Sequence, residues 1–98
     1  MRVTISYLRR KVERLNKELG RPATAWTKVE KGLVGNIGHI EIDHYQPGGN
    51  KHTYKLTEVM TAGGGVNEFT NYRMTATELD AYIEGIFTGM DLASRAAH

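Results

Sequence analysis

Apolar side chains recur at helical spacing near the start of the chain. They follow one another at steps of four, three and four residues: Leu8, Val12, Leu15 and Leu19. Gly20 and Pro22 are suited to end a helix there, and Thr4 or Ser6 is suited to cap its start. The spacing therefore predicts an N-terminal helix with one narrow apolar side.

A second helix is predicted at the other end of the chain. Thr75 and Glu78 have the spacing of a capping box, and Met74 before the cap is placed to pack on Leu79. The residues that follow form an apolar face broad enough to cover a sheet: Leu79, Tyr82, Ile83, Ile86, Phe87 and Met90.

Between the helices the apolar spacing changes to that of strands. Three strands are predicted, over Asn36–Tyr45, His52–Thr61 and Val66–Tyr72. The turn cluster Pro47–Asn50 joins the first two as a hairpin, whereas weak alternation from Trp26 to Val34 fits either a short strand or a loop. The order predicts an α+β fold, α-β-β-β-α, with a single antiparallel three-stranded sheet and the N- and C-terminal helices packed on it.

Length and composition narrow the class of protein. Ninety-eight residues predict a single domain, residues 1–98, and the absence of cysteine excludes disulfides and thiolate chemistry. A small fold without disulfides favours a homo-oligomer.

Stretches without charged residues are too short and too rich in glycine to span a membrane. Arg9, Arg10 and Lys11 interrupt the position of a signal-peptide core, so we expect a cytoplasmic protein.

Charge is distributed unevenly along the chain. Residues 1–31 hold nine Lys and Arg against three Glu, whereas residues 32–98 hold four against eight Asp and Glu. The basic residues of the first helix are a candidate nucleic-acid surface: Arg9, Arg10, Arg14 and Lys17. The alternatives are a solvated helix face, or one that meets the acidic half of the same chain or of a neighbouring subunit.

A glycine run before the third strand is a candidate ligand site. Gly63, Gly64 and Gly65, followed by Val66, can form a backbone nest that holds a phosphate, with Asn67 and Arg73 as further donors. The ligand expected there is a small anionic nucleotide. The alternative is a tight bend between two strands, since no helix begins directly after the run.

Small residues recur every four positions along the last helix: Ala81, Gly85, Gly89 and Ala93. Glycine costs about 0.5–1 kcal/mol relative to alanine inside a helix, so this stripe predicts close approach by another backbone. A subunit interface is one interpretation. In the other, Gly85 packs on the sheet or first helix of its own chain and Gly89 ends the helix.

Catalytic chemistry has little support. The four histidines lack a tight ligand pair, no serine lies in a nucleophile motif, and Glu41 and Asp43 lie on an exposed strand face. We therefore expect no enzyme activity, no metal and no cofactor.

Several short motifs occur in the order seen in small bacteriophage and prophage accessory proteins. They are an N-terminal helix ending in Asn16–Gly20, then Asn36–His39, Tyr54–Leu56, Gly63–Val66 and the helix Thr75–Gly89. Across most of its length the chain resembles this group, in particular the Thoeris anti-defence sponges, which sequester cyclic ADP-ribose-type immune signals without cleaving them. The resemblance implies a non-enzymatic counter-defence protein of the host cytoplasm that binds a host factor or a small nucleotide-like signal. The alternative from a different class is a nucleic-acid-binding regulator that uses the basic first helix.

Overall fold

A computed structural model describes residues 2–48 and 51–96. Its elements, in chain order, are α1 (Ile5–Glu18), β1 (Trp26–Val29), β2 (Gly32–Gly35), β3 (Ile40–Gly48), β4 (Lys51–Val59), β5 (Val66–Glu68) and α2 (Ala76–Ala96). β3, β4 and β5 form an antiparallel sheet in that order, and β1 and β2 form a separate hairpin. The structure confirms the predicted α+β fold and adds the hairpin, in the segment whose sequence fitted either a strand or a loop.

The residues predicted to cap the start and to end the first helix do so at the two ends of α1. The Thr4 hydroxyl accepts a hydrogen bond from the Tyr7 backbone N–H at 3.2 Å. At the other end Gly20 has a φ of +67°, and the Arg21 N–H donates to the carbonyl of Asn16 at 2.8 Å. This closes the helix with a left-handed glycine and turns the chain back along α1.

The predicted capping box begins α2. The Glu78 N–H donates to the Thr75 hydroxyl at 3.2 Å, and the Thr75 N–H donates to the Glu78 carboxylate at 2.9 Å. Hydrogen bonds to the Glu78 carboxylate from the Thr75 backbone N–H, and secondly from the Thr75 side chain, hold the pKa of Glu78 below its usual value. The helix then runs to Ala96, past the predicted end at Gly89.

Both helices pack on one face of the three-stranded sheet. The core consists of residues from both helices, from β3 and β4, and from the bridge at Met74: Leu8, Val12, Leu15, Ile40, Tyr54, Leu56, Met74, Leu79, Ile83 and Phe87. Met74 joins the sheet beyond β5, since it exchanges two backbone hydrogen bonds of 2.8 Å with Tyr54. The strand register places Asp43 and Lys55 on the opposite face.

The limits of all three predicted strands differ from the prediction, and β4 spans Lys51–Val59 rather than His52–Thr61. β3 begins at Ile40 rather than Asn36, because Gly38 has a φ of +97° and the His39 N–H donates back to the Asn36 carbonyl. β5 ends at Glu68 rather than Tyr72. Pro47 and Gly48 of the predicted turn belong to β3, and residues 49 and 50 lie outside the described residues.

The β1–β2 hairpin stands beside the main sheet. Its strands are exposed except at Gly35. Gly35 donates its N–H to the carbonyl of Ala62 at 2.7 Å, and the Trp26 ring lies against Gly64. The Asn36 side chain closes the base of the hairpin by bonding to Thr24. The hairpin is thus attached to the loop between β4 and β5.

Asn16 joins α1 to the edge of the sheet. Its amide nitrogen donates to the Ile40 carbonyl and its amide oxygen accepts from the Ile40 N–H, each at 2.9 Å. Both residues are buried, with only 2% of each exposed. The carboxamide therefore takes the place of one residue of a neighbouring strand.

An ion-pair cluster joins the two helices. The Lys11 ammonium contacts the carboxylates of Asp80 and Glu84 and lies 5.1 Å from the centre of the Tyr7 ring. Burial lowers the pKa of Lys11, but the hydrogen bonds to Asp80 and Glu84 outweigh it and hold the pKa above its usual value. Part of the basic segment thus meets the acidic half of its own chain, as one of the sequence alternatives proposed.

Candidate functional site

The predicted nucleotide loop uses its backbone donors internally. The Gly64 N–H donates to the Thr61 carbonyl at 3.0 Å, and the Gly65 N–H donates to the Thr61 hydroxyl at 2.8 Å. Gly64 has a φ of +95°, and a Cβ there would overlap the Trp26 ring. A phosphate nest needs consecutive N–H groups that are free, so Gly63–Gly65 has the geometry of the alternative, a tight bend.

Arg73 lies far from this bend. Its guanidinium donates to the Thr53 hydroxyl at 2.7 Å and to the carbonyl of Asp43 at 2.9 Å. Gly65 instead pairs with Met60. Thr53 and Met60 are roughly 20 Å apart along an extended strand. The structure therefore does not bring Arg73 together with the glycine run.

Val66 and Asn67 do not complete a site at the bend either. As neighbours in β5 they point to opposite faces of the sheet. The Asn67 amide donates to the Glu58 carboxylate at 3.3 Å, whereas the Val66 side chain is exposed. The six predicted ligand residues are thus divided among four places: the bend, the two faces of β5 and the position of Arg73.

The basic residues of α1 are also divided, because successive positions point around the helix. Arg10, Arg14 and Lys17 line one open groove of about 800 Å³, which also includes Arg21 and one acidic residue, Glu13. Arg9 borders different grooves, beside β3. Sequence reasoning missed Arg21, since it enters the groove only because the chain turns back after Gly20.

The cations of this groove differ in how far they are already paired. Arg14 donates to Glu18 at 3.0 Å and lies 4.3 Å from the centre of the Phe87 ring. Arg10 and Lys17 are exposed and have no side-chain partner in the described part of the chain. These two side chains are available for a ligand without breaking an existing contact.

Arg21 is fixed by the sheet. It donates to the Glu58 carboxylate at 2.7 Å and to the Gly38 carbonyl at 3.0 Å. The bond from Arg21 lowers the pKa of Glu58 below its usual 4.5, against burial, which raises it, and Asn67 adds to the lowering. Arg21 therefore sets one wall of the groove rather than offering a free charge.

Replacing Arg21 with Gln is expected to reduce stability at neutral pH but not at low pH. Because the pKa of Glu58 is lower in the folded state, its ion pair stabilises the protein above 4.5 and is lost as the pH falls below that value. Urea unfolding from about pH 7 to pH 3 measures the difference in free energy of unfolding between the wild type and Arg21→Gln. This difference should shrink toward low pH. Lys28→Gln on the hairpin is the control. A difference that stays constant with pH would contradict this account.

The small-residue stripe of α2 faces outward. Ala81, Gly85, Gly89 and Ala93 are all exposed, and a Cβ at either glycine would meet no atom within 4 Å. The interpretation that Gly85 packs within its own chain and that Gly89 ends the helix is therefore wrong. The subunit interface stays a prediction.

Gly85→Leu tests that prediction. In a single chain the change should raise the free energy of unfolding by about 0.5–1 kcal/mol, because leucine is the better helix former and the position is open. If the stripe is an interface, leucine blocks assembly, and sedimentation should show a lower mass than for the wild type. Gly85→Ala is the matched control. A higher melting temperature with unchanged mass would place the stripe in solvent.

The described histidines are engaged with protein groups. His44 Nε2 lies 2.8 Å from His52 Nδ1, and the His44 ring lies parallel to that of Tyr54. His39 Nδ1 lies 2.9 Å from the Pro22 carbonyl. Among residues 2–48 and 51–96 no group of three or more His, Asp or Glu side chains is placed to hold a metal ion.

No protein-family model, curated protein or solved structure matches this chain. Within the residues that the structure describes, neither helix combines the length and the apolar character needed to cross a bilayer.

Proposed function

We propose that this chain is a non-enzymatic binding protein that contacts the phosphate backbone of a nucleic acid through the outer face of α1. The observation that carries the proposal is that Arg10 and Lys17, both without a partner in the described residues, share one open groove with Arg14. Regularly spaced phosphates attract such a row of cations, and each contact releases counterions.

The shape of the groove supports a long polyanion over a small molecule. Small ligands are usually held in pockets that bury most of their surface. The groove along α1 instead lies on the exposed outer face of the helix, with side chains spaced along its length. A nucleic-acid backbone can follow such a surface without being enclosed.

The proposal is tested by fluorescence anisotropy with a labelled DNA duplex over a range of salt concentrations. Three phosphate contacts, from Arg10, Arg14 and Lys17, give a log–log slope of about −2.7. The double variant Arg10→Gln/Lys17→Gln should reduce the slope to about −0.9, which corresponds to one remaining contact. The double variant Lys28→Gln/Lys31→Gln, with the same change of charge on the hairpin, should leave the slope unchanged. Equal slopes for both variants would contradict the proposal.

The alternative function is sequestration of a small nucleotide, which the resemblance to phage counter-defence proteins implies. Calorimetry with cyclic and linear nucleotides distinguishes the two. Heat of binding that is unaffected by Arg10→Gln/Lys17→Gln, without duplex binding at about 50 mM salt, would replace the nucleic-acid proposal with the sequestering function.

A further inference from the structure

The pairing of β3 with β4 brings two histidines together. His44 lies directly opposite Tyr54 in the strand register, and His52 is two residues before Tyr54, so the three side chains share one face of the sheet. His44 Nε2 and His52 Nδ1 are 2.8 Å apart. The two residues are distant in sequence, so the structure supplies a close pair of ligands that their spacing did not indicate.

One side of this histidine pair is supported and the other is open to solvent. The buried Tyr54 ring lies parallel to the His44 ring, with the two centres 4.8 Å apart. His44 and His52 are themselves exposed, and in the described part of the chain neither ring forms an ion pair. Both facing nitrogens are therefore accessible to an ion from solvent.

The charged side chains around the histidine pair leave these nitrogens free of other contacts. Arg9, Glu41 and Asp43 line the groove beside His44. Glu41, Asp43 and Lys51 alternate with the histidines along their strands, so they point to the opposite face of the sheet. Arg9 has no hydrogen bond or ring contact with the pair among the described residues. The two carboxylates therefore cannot serve as further ligands, and water must complete any coordination.

The separation of the two nitrogens selects the kind of ion. Imidazole nitrogens bind copper, nickel and zinc. Two ligands at right angles on a square-planar ion, with bonds of about 2.0 Å, lie about 2.8 Å apart, whereas tetrahedral zinc would hold them about 3.3 Å apart. The observed 2.8 Å matches the square-planar arrangement. Of the first-row divalent ions, Cu(II) binds such ligands most tightly.

We propose that His44 Nε2 and His52 Nδ1 bind one Cu(II) ion at adjacent positions of its coordination plane, with water in the other positions. In the metal-free pair one of these nitrogens donates its proton to the other. On binding, that histidine adopts its other tautomer, so its proton moves through solvent to the opposite nitrogen of the same ring. A rotation of the two exposed rings then directs both lone pairs at the ion.

His39 does not offer an equivalent site. Its Nδ1 lies 2.9 Å from the Pro22 carbonyl, and its Nε2 lies 3.9 Å from the Glu41 carboxylate. This second distance exceeds the right-angle separation by about 1 Å. The inference therefore concerns His44 and His52 alone, and it does not depend on the proposed nucleic-acid function.

Titration of the full-length chain with Cu(II), followed by visible absorption and electron paramagnetic resonance, tests the inference. We expect one equivalent to bind, with splitting of the copper signal by two imidazole nitrogens. His44→Asn or His52→Asn should leave one nitrogen and weaken binding at least about tenfold, because even groups that only orient a metal ligand contribute 10–100-fold. His98→Asn, the same change outside the described residues, is the matched control and should alter neither result.

Two further measurements complete the test. Circular dichroism confirms that each variant is folded, and Cu(II) should raise the melting temperature of the wild type more than that of His52→Asn, because the ion joins β3 to β4. Arg10→Gln/Lys17→Gln should bind Cu(II) as the wild type does. Equal affinity of the wild type and His52→Asn would overturn the inference, as would an equal loss of binding in His98→Asn.

Discussion

Asn16→Ala is expected to lower the free energy of unfolding by about 2–4 kcal/mol, a large part of the stability of a domain of this size. The change removes two hydrogen bonds and leaves the buried N–H and carbonyl of Ile40 without partners. An unsatisfied buried polar group costs more than the net contribution of the bond that it has lost. Urea denaturation of the wild type and the variant measures the difference.

Two further variants test whether the loss of stability comes from the hydrogen bonds between the Asn16 carboxamide and Ile40. Asn16→Asp keeps an oxygen that accepts from the Ile40 N–H but places a second acceptor against the Ile40 carbonyl, so it should also be destabilising. Lys17→Ala, one residue further on the exposed side of α1, should change stability by less than about 0.5 kcal/mol. A similar small effect for Asn16→Ala would show that the carboxamide does not hold the helix to the sheet.

Gly64→Ala should cost about 3 kcal/mol, from two separable causes. The left-handed φ of Gly64 accounts for roughly 1–2 kcal/mol, because alanine seldom adopts it. Overlap with the Trp26 ring accounts for the rest, since a Cβ would lie 2.8 Å from Cζ2 and closer still to Cη2.

A double-mutant cycle separates the two causes. In a Trp26→Ala background, Gly64→Ala should cost only the backbone part, roughly 1–2 kcal/mol, so the two changes should be clearly non-additive. Thermal denaturation of the four proteins gives the coupling. Additive effects would mean that Trp26 does not rest on Gly64, and that the hairpin is attached in another way.

The elements predicted well from the sequence are those whose signals are local. The capping box of Thr75 and Glu78 and the glycine at position 20 act within a few residues, and the structure uses both. The apolar position Ile83 was also predicted correctly, because helical spacing indicates which side of a helix is buried.

The features that were not predicted depend on partners distant in sequence. Nothing near Asn16 indicates that its amide pairs with Ile40, 24 residues away. The glycine run permits either a nest or a bend, and contact with Trp26 favours the bend. Arg73 is close to the run in sequence, but β4 carries its partner Thr53 to the opposite end of the sheet.

We expect the β1–β2 hairpin to open independently of the sheet and helices in this short chain. Its strands pair only with each other, and Trp26 and Gly35 provide its attachment to the loop between β4 and β5. A unit with so little buried apolar area opens at a small free-energy cost while the sheet and helices remain folded. Amide protons of the hairpin therefore exchange with solvent through local opening, whereas those in the centre of β4 exchange through global unfolding. Proteases that require an unfolded segment would accordingly cleave first between residues 26 and 35.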